Sequence, residues 1–473
     1  MTPKKIAYFS IGPLGSALLG LIAVPIITWF FSQEDVGRMG MLQVTISFSV
    51  MLFSLGLDQS YVREFHEATN KPALLKLSFF PGMIMLLLSL AMILLFGGGS
   101  LSGWLFGIRV QHLSQLVALA LVVSFFSRFL SLVLRMNERG FAYSVSQVAP
   151  KLLLLIIVGV YVLIDVDNNL TNLIAANVAG FVLAFFVQAW CARNELILGL
   201  RSTVNIRRLK SMLRFGAPLI LGGVAFWGLT AVDKIFLRAF SSFNELGLYS
   251  VSVSFAAIGM ILQSVFSTIW APTVYKWASR GQGLENVYRV TRYVLILVII
   301  GFCLAGLLSW MLEFLLPPGY AEVQWIVISC LGYPLLYTLS ETTVVGIGIS
   351  KRSGYSMLAA ILALVVDLCG NWLLIPVYGA AGAAVSTCAS FWIFLFFRTE
   401  FSIYVWKVIP RKLVYIYSFL VVSGAIVFTL WGRYLGSVME VFWVMMLCSI
   451  FFVFRDELKE VRGLVLLRTK RNA

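Results

Sequence analysis

Apolar runs of about 20 residues recur along the whole chain, separated by short polar breaks, which is the spacing a bilayer-spanning helix requires. The runs predict fourteen spans, near 6–31, 39–62, 73–96, 113–136, 144–164, 171–193, 212–238, 246–270, 289–312, 322–348, 354–376, 380–404, 412–432 and 436–454. The breaks between them are too short for a folded extramembrane domain. Met1–Lys5 leads straight into a first run that is longer than the apolar segment of a signal peptide, so no removable leader is expected. The fold class expected is an all-α polytopic membrane protein.

A phrase in the polar breaks repeats. Ser32-Gln-Glu-Asp-Val-Gly37 follows the first span and Ser242-Phe-Asn-Glu-Leu-Gly247 follows the seventh. Each leads through a Ser-containing run to an aromatic–basic cluster, Tyr61-Val-Arg63 and Val274-Tyr-Lys276. Upstream, Gly12-Pro13 after Phe9 is echoed by Phe215-Gly-Ala-Pro218. Spans 1–6 and 7–12 then form two six-helix lobes in parallel pseudo-repeat, with two further helices appended and a site expected between the halves. The division expected is 1–193 for the N-lobe, 194–211 for a basic linker, 212–404 for the C-lobe and 405–473 for helices 13–14 with a basic tail.

Charge changes the picture by giving the spans a direction. The chain is 60% hydrophobic and 12% charged, with 36 basic against 21 acidic residues. With the N-terminus placed in the cytoplasm, 29 of the 36 basic residues fall in cytoplasmic segments and four outside, which predicts both termini inside. The net charge of +15 is therefore a topology signal and implies no nucleic acid. Six cysteines without a CxxC pair and two histidines argue against a disulfide framework or a metal centre, and the thiols read as buried and inert.

Three basic residues, Arg128, Lys151 and Lys234, fall inside spans. Ser124, Arg128, Ser131 and Arg135 recur at helical spacing and draw one polar stripe along the fourth span. Ser144, Gln147 and Lys151 return along the fifth. Arg128 and Lys151 each lie seven residues inside the end of their span, a common depth of roughly 10 Å in an antiparallel pair. Neither helix carries an acidic residue, so the two cations ask for an anionic partner, with snorkelling to headgroups as the plainer reading. In the seventh span Asp233 sits beside Lys234, as an interfacial ion pair or a substrate contact. In the second, Asp58 follows Ser47 and Ser54 and reads most simply as a partner of Arg63. Glu341, Asp367 and Asn371 are the notable polar residues of the C-lobe; they are candidates for binding a coupling cation or proton, or for a helix–helix contact.

Enzyme motifs are weak. Gly346-Ile-Gly-Ile-Ser-Lys351 lacks the Gly before Lys that a phosphate-binding loop needs, and no GxSxG or HExxH occurs. Asp165-Val-Asp167 falls in an outer turn, away from cytoplasmic sugar nucleotides, and Asn169-Leu-Thr171 fits the glycosylation sequon, a triplet common by chance. No catalytic residue and no cofactor are expected.

Glu34-Asp-Val-Gly37, Gly56-Leu-Asp-Gln59 with Tyr61-Val-Arg63, Phe215–Lys234, Asn244-Glu-Leu-Gly247-Leu-Tyr249-Ser250 and Ile375-Pro-Val-Tyr-Gly379-Ala-Ala-Gly382-Ala-Ala384 carry a resemblance. In order and spacing the chain resembles the O-antigen and polysaccharide repeat-unit flippases of the multidrug/oligosaccharidyl-lipid/polysaccharide exporter superfamily. That resemblance implies a twelve-helix core plus two helices, enclosing a V-shaped cavity. It implies movement of undecaprenyl-diphosphate-linked oligosaccharides across the bacterial inner membrane by alternating access, beside polysaccharide polymerase and chain-length proteins. A cationic lumen suits such a head, and Arg128, Lys151, Lys234, Arg135, Asp233, Asp58 and Arg63 are the substrate-binding candidates. A cation-coupled drug exporter on the same fold and a membrane glycosyltransferase or polymerase are the alternatives.

Overall fold

The computed structural model describes residues 3–203, 205–280 and 284–460; of the basic tail expected after the last span, the part over 461–473 lies outside the described residues. All regular structure there is helical. The first half runs α1 (Pro3–Phe30), α2 (Gln33–Phe53), α3 (Leu57–Glu64), α4 (Lys71–Leu95), α5 (Ser100–Phe106), α6 (Gln111–Met136), α7 (Gly140–Leu163), α8 (Leu170–Cys191) and α9 (Arg193–Arg201). Then follow α10 (Ile206–Phe240), α11 (Phe243–Ser279), α12 (Leu284–Leu308), α13 (Leu312–Leu315), α14 (Val323–Cys330), α15 (Gly332–Thr343) and α16 (Val345–Ile349). The last are α17 (Gly354–Val405), α18 (Lys412–Leu435) and α19 (Ser437–Val453).

Among the described residues, twelve helical segments are long and apolar enough to cross a membrane. At about 1.5 Å per residue, the 52 residues of α17 exceed a single crossing. The helix breaks at Gly379, whose φ of 52° and ψ of −127° fit glycine, just after Pro376. Beyond the break the chain doubles back, and the Ser386 hydroxyl lies 2.9 Å from an Asp367 carboxylate oxygen. Counting the two limbs separately and adding the 17-residue α19 accounts for the fourteen expected passes. The helices stay apolar on their outer surfaces, as the exposed Leu152, Ile156 and Val160 of α7 show, which suits contact with lipid. The chain is a multi-pass membrane protein.

The repeated phrase proves to be a repeated helix cap. Ser32 accepts a hydrogen bond from the Asp35 backbone N–H at 3.2 Å and donates to the Asp35 carboxylate at 2.7 Å, closing the start of α2. Ser242 accepts from the Glu245 N–H at 3.3 Å at the start of α11. The acidic residues also sit where the helix dipole favours negative charge. The two caps pack on one another: a Cβ on Gly37 would overlap the Phe243 carbonyl oxygen, and one on Gly247 the Gln33 carbonyl oxygen. The Arg38 guanidinium lies 4.9 Å from the Phe243 ring centroid.

That packing moves the boundary between the halves. The chain divides into two compact units, Met1–Trp227 with Ser242–Ser250, and Gly228–Ser241 with Val251–Ala473. The expected linker at 194–211 belongs to the first unit, where Lys76 Nζ donates to the Leu200 and Ser202 carbonyls, both at 2.9 Å. Arg139–Glu195 at 2.6 Å and Arg208–Glu64 at 2.9 Å hold the same segment. The core of this unit centres on Phe79, Phe125, Phe126 and Phe129. In the second unit, Arg292–Glu457 at 2.7 Å and Arg289–Glu460 at 3.2 Å tie α12 to the segment after α19.

Two smaller expectations need correction or gain a cause. Cys303, Cys330 and Cys388 are buried, but Cys369 and Cys448 lie exposed on the protein surface because they point outward from apolar helices. Asn169 caps α8 through the Asn172 N–H at 3.0 Å, and the Asp167 carbonyl accepts from the Asn172 side chain at 2.9 Å, so the acidic turn serves as a helix start.

Replacing Gly37 with Ala forces a methyl group against the Phe243 carbonyl, and overpacking of this kind costs about 1–3 kcal/mol. Thermal unfolding in detergent should show a clear drop in Tm for Gly37→Ala and almost none for Gly20→Ala, whose added Cβ meets nothing within 4 Å. Equal Tm values for the two variants would contradict the cap-on-cap contact.

Candidate functional site

Within the first unit, α1, α2, α3, α6, α7, α8 and the first half of α10 line a cavity of about 650 Å³. Its only charged lining residues among those described are Asp58, Arg128 and Lys151, an excess of one positive charge. α3 starts after Gly56, whose φ of 67° permits the sharp entry that turns Asp58 inward. Arg128 Nη2 donates to Asp58 Oδ2 at 2.5 Å and Nε to the same oxygen at 3.2 Å. The Asp58 side chain is 8% exposed and that of Arg128 38%, so the carboxylate is sunk in protein while the guanidinium keeps a face open.

The remaining lining is rich in unspent hydrogen-bonding capacity. Ser124 Oγ, Ser127 Oγ and Gln188 Oε1 are buried and have no hydrogen-bond partner among the described residues, although all three residues line the cavity. Such groups are normally satisfied by protein or water, so this wall favours a polar filling. Lys151 has no salt bridge or hydrogen bond among the described residues and is half-buried on the wall formed by α7.

Several expected residues thus meet here and others do not. Asp58, Arg128 and Lys151 share one cavity. Asp58 is paired with Arg128, not with Arg63; the Arg63 guanidinium instead stacks 4.1 Å from the Phe215 ring centroid. Five residues on, Arg63 leaves the short α3 on a different side, which carries it out of the pair's reach. Arg135 is exposed beyond the cavity lining, at the end of α6. Ser127, Ser146 and Gln188 were not singled out from sequence, yet Phe181, Ala184 and Gln188 recur at helical spacing, with Gln188 the one polar residue in the apolar second half of α8.

The second unit gathers a different polar group. Asp233, on α10, accepts from Asn371 Nδ2 and from Thr387 Oγ1, each at 2.7 Å. Asp367 lies against Ser386 Oγ at 2.9 Å and Ser390 Oγ at 3.3 Å. Asp233, Asp367 and Asn371 are 1%, 0% and 0% exposed, and Asp367 Oδ2 and Asn371 Oδ1 have no hydrogen-bond partner. Doubling α17 back at Gly379 is what brings Asp367 and Asn371 from one limb beside Ser386, Thr387 and Ser390 from the other. Glu341 is not part of this group: it pairs with Arg398 at 2.9 Å in a separate cavity. Lys234 is half-buried and lines neither cavity, since it leaves α10 about 100° round from Asp233.

Against known proteins, the profile described as "Polysaccharide biosynthesis protein" matches residues 3–282, more than half of the chain. The chain belongs to the polysaccharide biosynthesis protein family. This member of the family is 25% identical over 240 residues to the probable low-salt glycan biosynthesis flippase Agl15 of Haloferax volcanii. The matched stretch spans 49% of each of the two proteins. Its fold is similar to that of the lipid II flippase MurJ in an inward closed conformation, with a TM-score of 0.70 at 15% identity, covering 95% of this chain and 99% of that one. A Vibrio cholerae MATE transporter, VcmN, is similar at a TM-score of 0.56 and 14% identity, over 84% of this chain and 95% of that one.

A family member built this way should show strong coupling between Asp58 and Arg128. In a double-mutant cycle on unfolding, Asp58→Ala and Arg128→Ala should each destabilise, with an interaction energy on the order of 1–2 kcal/mol. Additive effects would mean that the pair contributes nothing beyond packing.

Proposed function

We propose that the chain is a flippase for oligosaccharides linked to a polyprenyl diphosphate, undecaprenyl diphosphate in a bacterial host. It would act in the inner membrane with both termini cytoplasmic, in the synthesis of O-antigen or another surface polysaccharide. The observation that carries this reading is the cavity of the first unit. One cation without a partner, one cation held by a single carboxylate and several free hydroxyl and amide groups suit a diphosphate with a sugar attached. The family match and the flippase relatives support the same class of cargo.

Transport needs no covalent step. The diphosphate enters the cavity, contacts Lys151 and competes with Asp58 for Arg128; alternation of access then releases it on the far side. A pair of this kind keeps Arg128 tolerable within the membrane when no cargo is bound. It also limits how tightly the anion is held, so release remains possible.

The second unit supports a coupling role. Two buried carboxylates, with one oxygen left without a partner, are costly in an apolar bundle unless a proton or a small cation joins them. We assign Asp233, Asp367, Asn371 and Thr387 to that role. Similarity of fold to MATE transporters keeps a second reading, cation-coupled export of small molecules, within reach of experiment.

A flippase-null strain complemented with Arg128→Ala/Lys151→Ala should make at least about tenfold less surface polysaccharide at equal protein abundance, the scale expected from losing charge-assisted contacts. Full polysaccharide levels would remove this cavity from the mechanism, and efflux of small cations by vesicles without any lipid carrier would favour the exporter reading. Asp367→Asn should abolish the dependence of transport on a proton or sodium gradient while leaving binding of the cargo intact. Undiminished gradient dependence would free the carboxylate group from coupling.

A further inference from the structure

The second unit holds a cavity of its own, about 440 Å³, where α16 turns into α17 beside the end of α11. Its floor is the Glu341–Arg398 ion pair. Arg398 is 8% exposed, donates to Ser340 Oγ at 2.8 Å and lies beside the stacked Tyr337 and Phe394 rings, 5.2 and 4.9 Å from their centroids. Its Nε is buried without a hydrogen-bond partner. The Trp270 indole N–H donates to the Glu341 carbonyl at 2.9 Å and fixes one wall.

The rim carries the free groups. Lys351, Ser353, Ser356 and Tyr275 line the cavity and none of the four side chains has a hydrogen-bond partner among the described residues. Serine and threonine elsewhere in these helices mostly return their hydroxyl to a carbonyl one turn back, as Ser264, Thr268 and Thr273 do. Lys351 adopts a φ of 55°, a conformation costly for a side chain with a Cβ, and Ser350 Oγ pins the turn to the Val405 carbonyl at 2.9 Å. The strained turn keeps the ammonium group at the mouth, next to the N-terminus of α17, where the helix dipole favours an anion.

The plan is that of the first unit's cavity. Each has an arginine clamped by one carboxylate, a lysine without a partner and several free hydroxyls, with one positive charge in excess. We propose that the cavity of the second unit is a separate binding site for a phosphate ester, with Lys351, Ser353 and Ser356 holding the phosphate over the Glu341–Arg398 floor. Its volume lies in the usual range for small-ligand sites and would take a group of glycerophosphate size. A phospholipid headgroup and a soluble phosphate ester share this chemistry. The proposal stands whether or not the first cavity carries a glycan lipid.

The test uses the full chain in phosphatidylcholine nanodiscs, with Lys151→Ala as the background so that the first cavity's lysine is absent. Binding of sn-glycerol 3-phosphate is measured by titration calorimetry, and retention of phosphatidylglycerol by native mass spectrometry. Lys351→Gly removes the ammonium and suits the positive φ, so the fold is kept. It should weaken at least one of the two ligands about tenfold, and Ser353→Ala/Ser356→Ala about threefold, as expected for charged and neutral hydrogen bonds. Lys351→Arg should stay within about threefold of the parent because the charge remains. Loss of the soluble ester alone assigns the site to a free phosphate ester, and loss of the lipid to a headgroup. No saturable binding of either probe, or binding unchanged in Lys351→Gly, would overturn the proposal.

Discussion

The functional reading depends on one constraint: a guanidinium group placed among apolar helices must be compensated where it sits. Asp58 does this for Arg128 at 2.5 Å, from a separate short helix that follows a left-handed glycine. A charge in the bilayer interior is tolerated when it faces a polar space or a partner, and here it has both. Sinking the carboxylate and leaving the guanidinium partly open makes the pair a half-finished site for an anion. Lys151, with no partner, tips the balance of the cavity to positive.

The two halves use one local device at corresponding places. Capping serines start α2 and α11, acidic residues follow them, and a glycine in each lets the backbones approach until no Cβ fits. In an apolar medium the drive to associate comes from close packing and hydrogen bonds, since lipid tails are as apolar as leucine. The caps therefore serve as a contact as well as a start, which is why residues 242–250 pack with the first unit although the repeat assigns them to the second half. Inside the second unit, neutral hydroxyl and amide contacts surround the two carboxylates at the break in α17, while Glu341–Arg398, Arg292–Glu457 and Arg289–Glu460 are ion pairs.

Much of this was legible in the amino-acid order. The all-helical membrane class, the repeated cap phrase and the sharing of one cavity by Arg128 and Lys151 follow from apolar run length and from helical spacing, both local properties. The pairing of Asp58 was not, because it depends on where a left-handed glycine sends α3, and periodicity carries no such information. Asp233 was read beside its sequence neighbour Lys234, yet its partners Asn371 and Thr387 are more than 130 residues away and meet it only once α17 has doubled back. The same fold-back explains why Glu341, close to Asp367 in sequence terms, belongs to another cavity. Long-range pairings are set by where breaks fall, and a break such as Gly379 is visible only as one of 38 glycines.

In the function proposed above, the cavity of the first unit is an aqueous space that receives an anionic diphosphate. That reading is tested most directly by thiol accessibility in a chain whose six cysteines are replaced by serine. Gln147→Cys, on the cavity wall, should react with a charged, membrane-impermeant thiol reagent, and added undecaprenyl diphosphate should slow the reaction. Leu88→Cys, on an apolar surface with 65% of the native side chain exposed, should react poorly and show no protection. A cysteine at position 147 as unreactive as the one at position 88 would contradict the account.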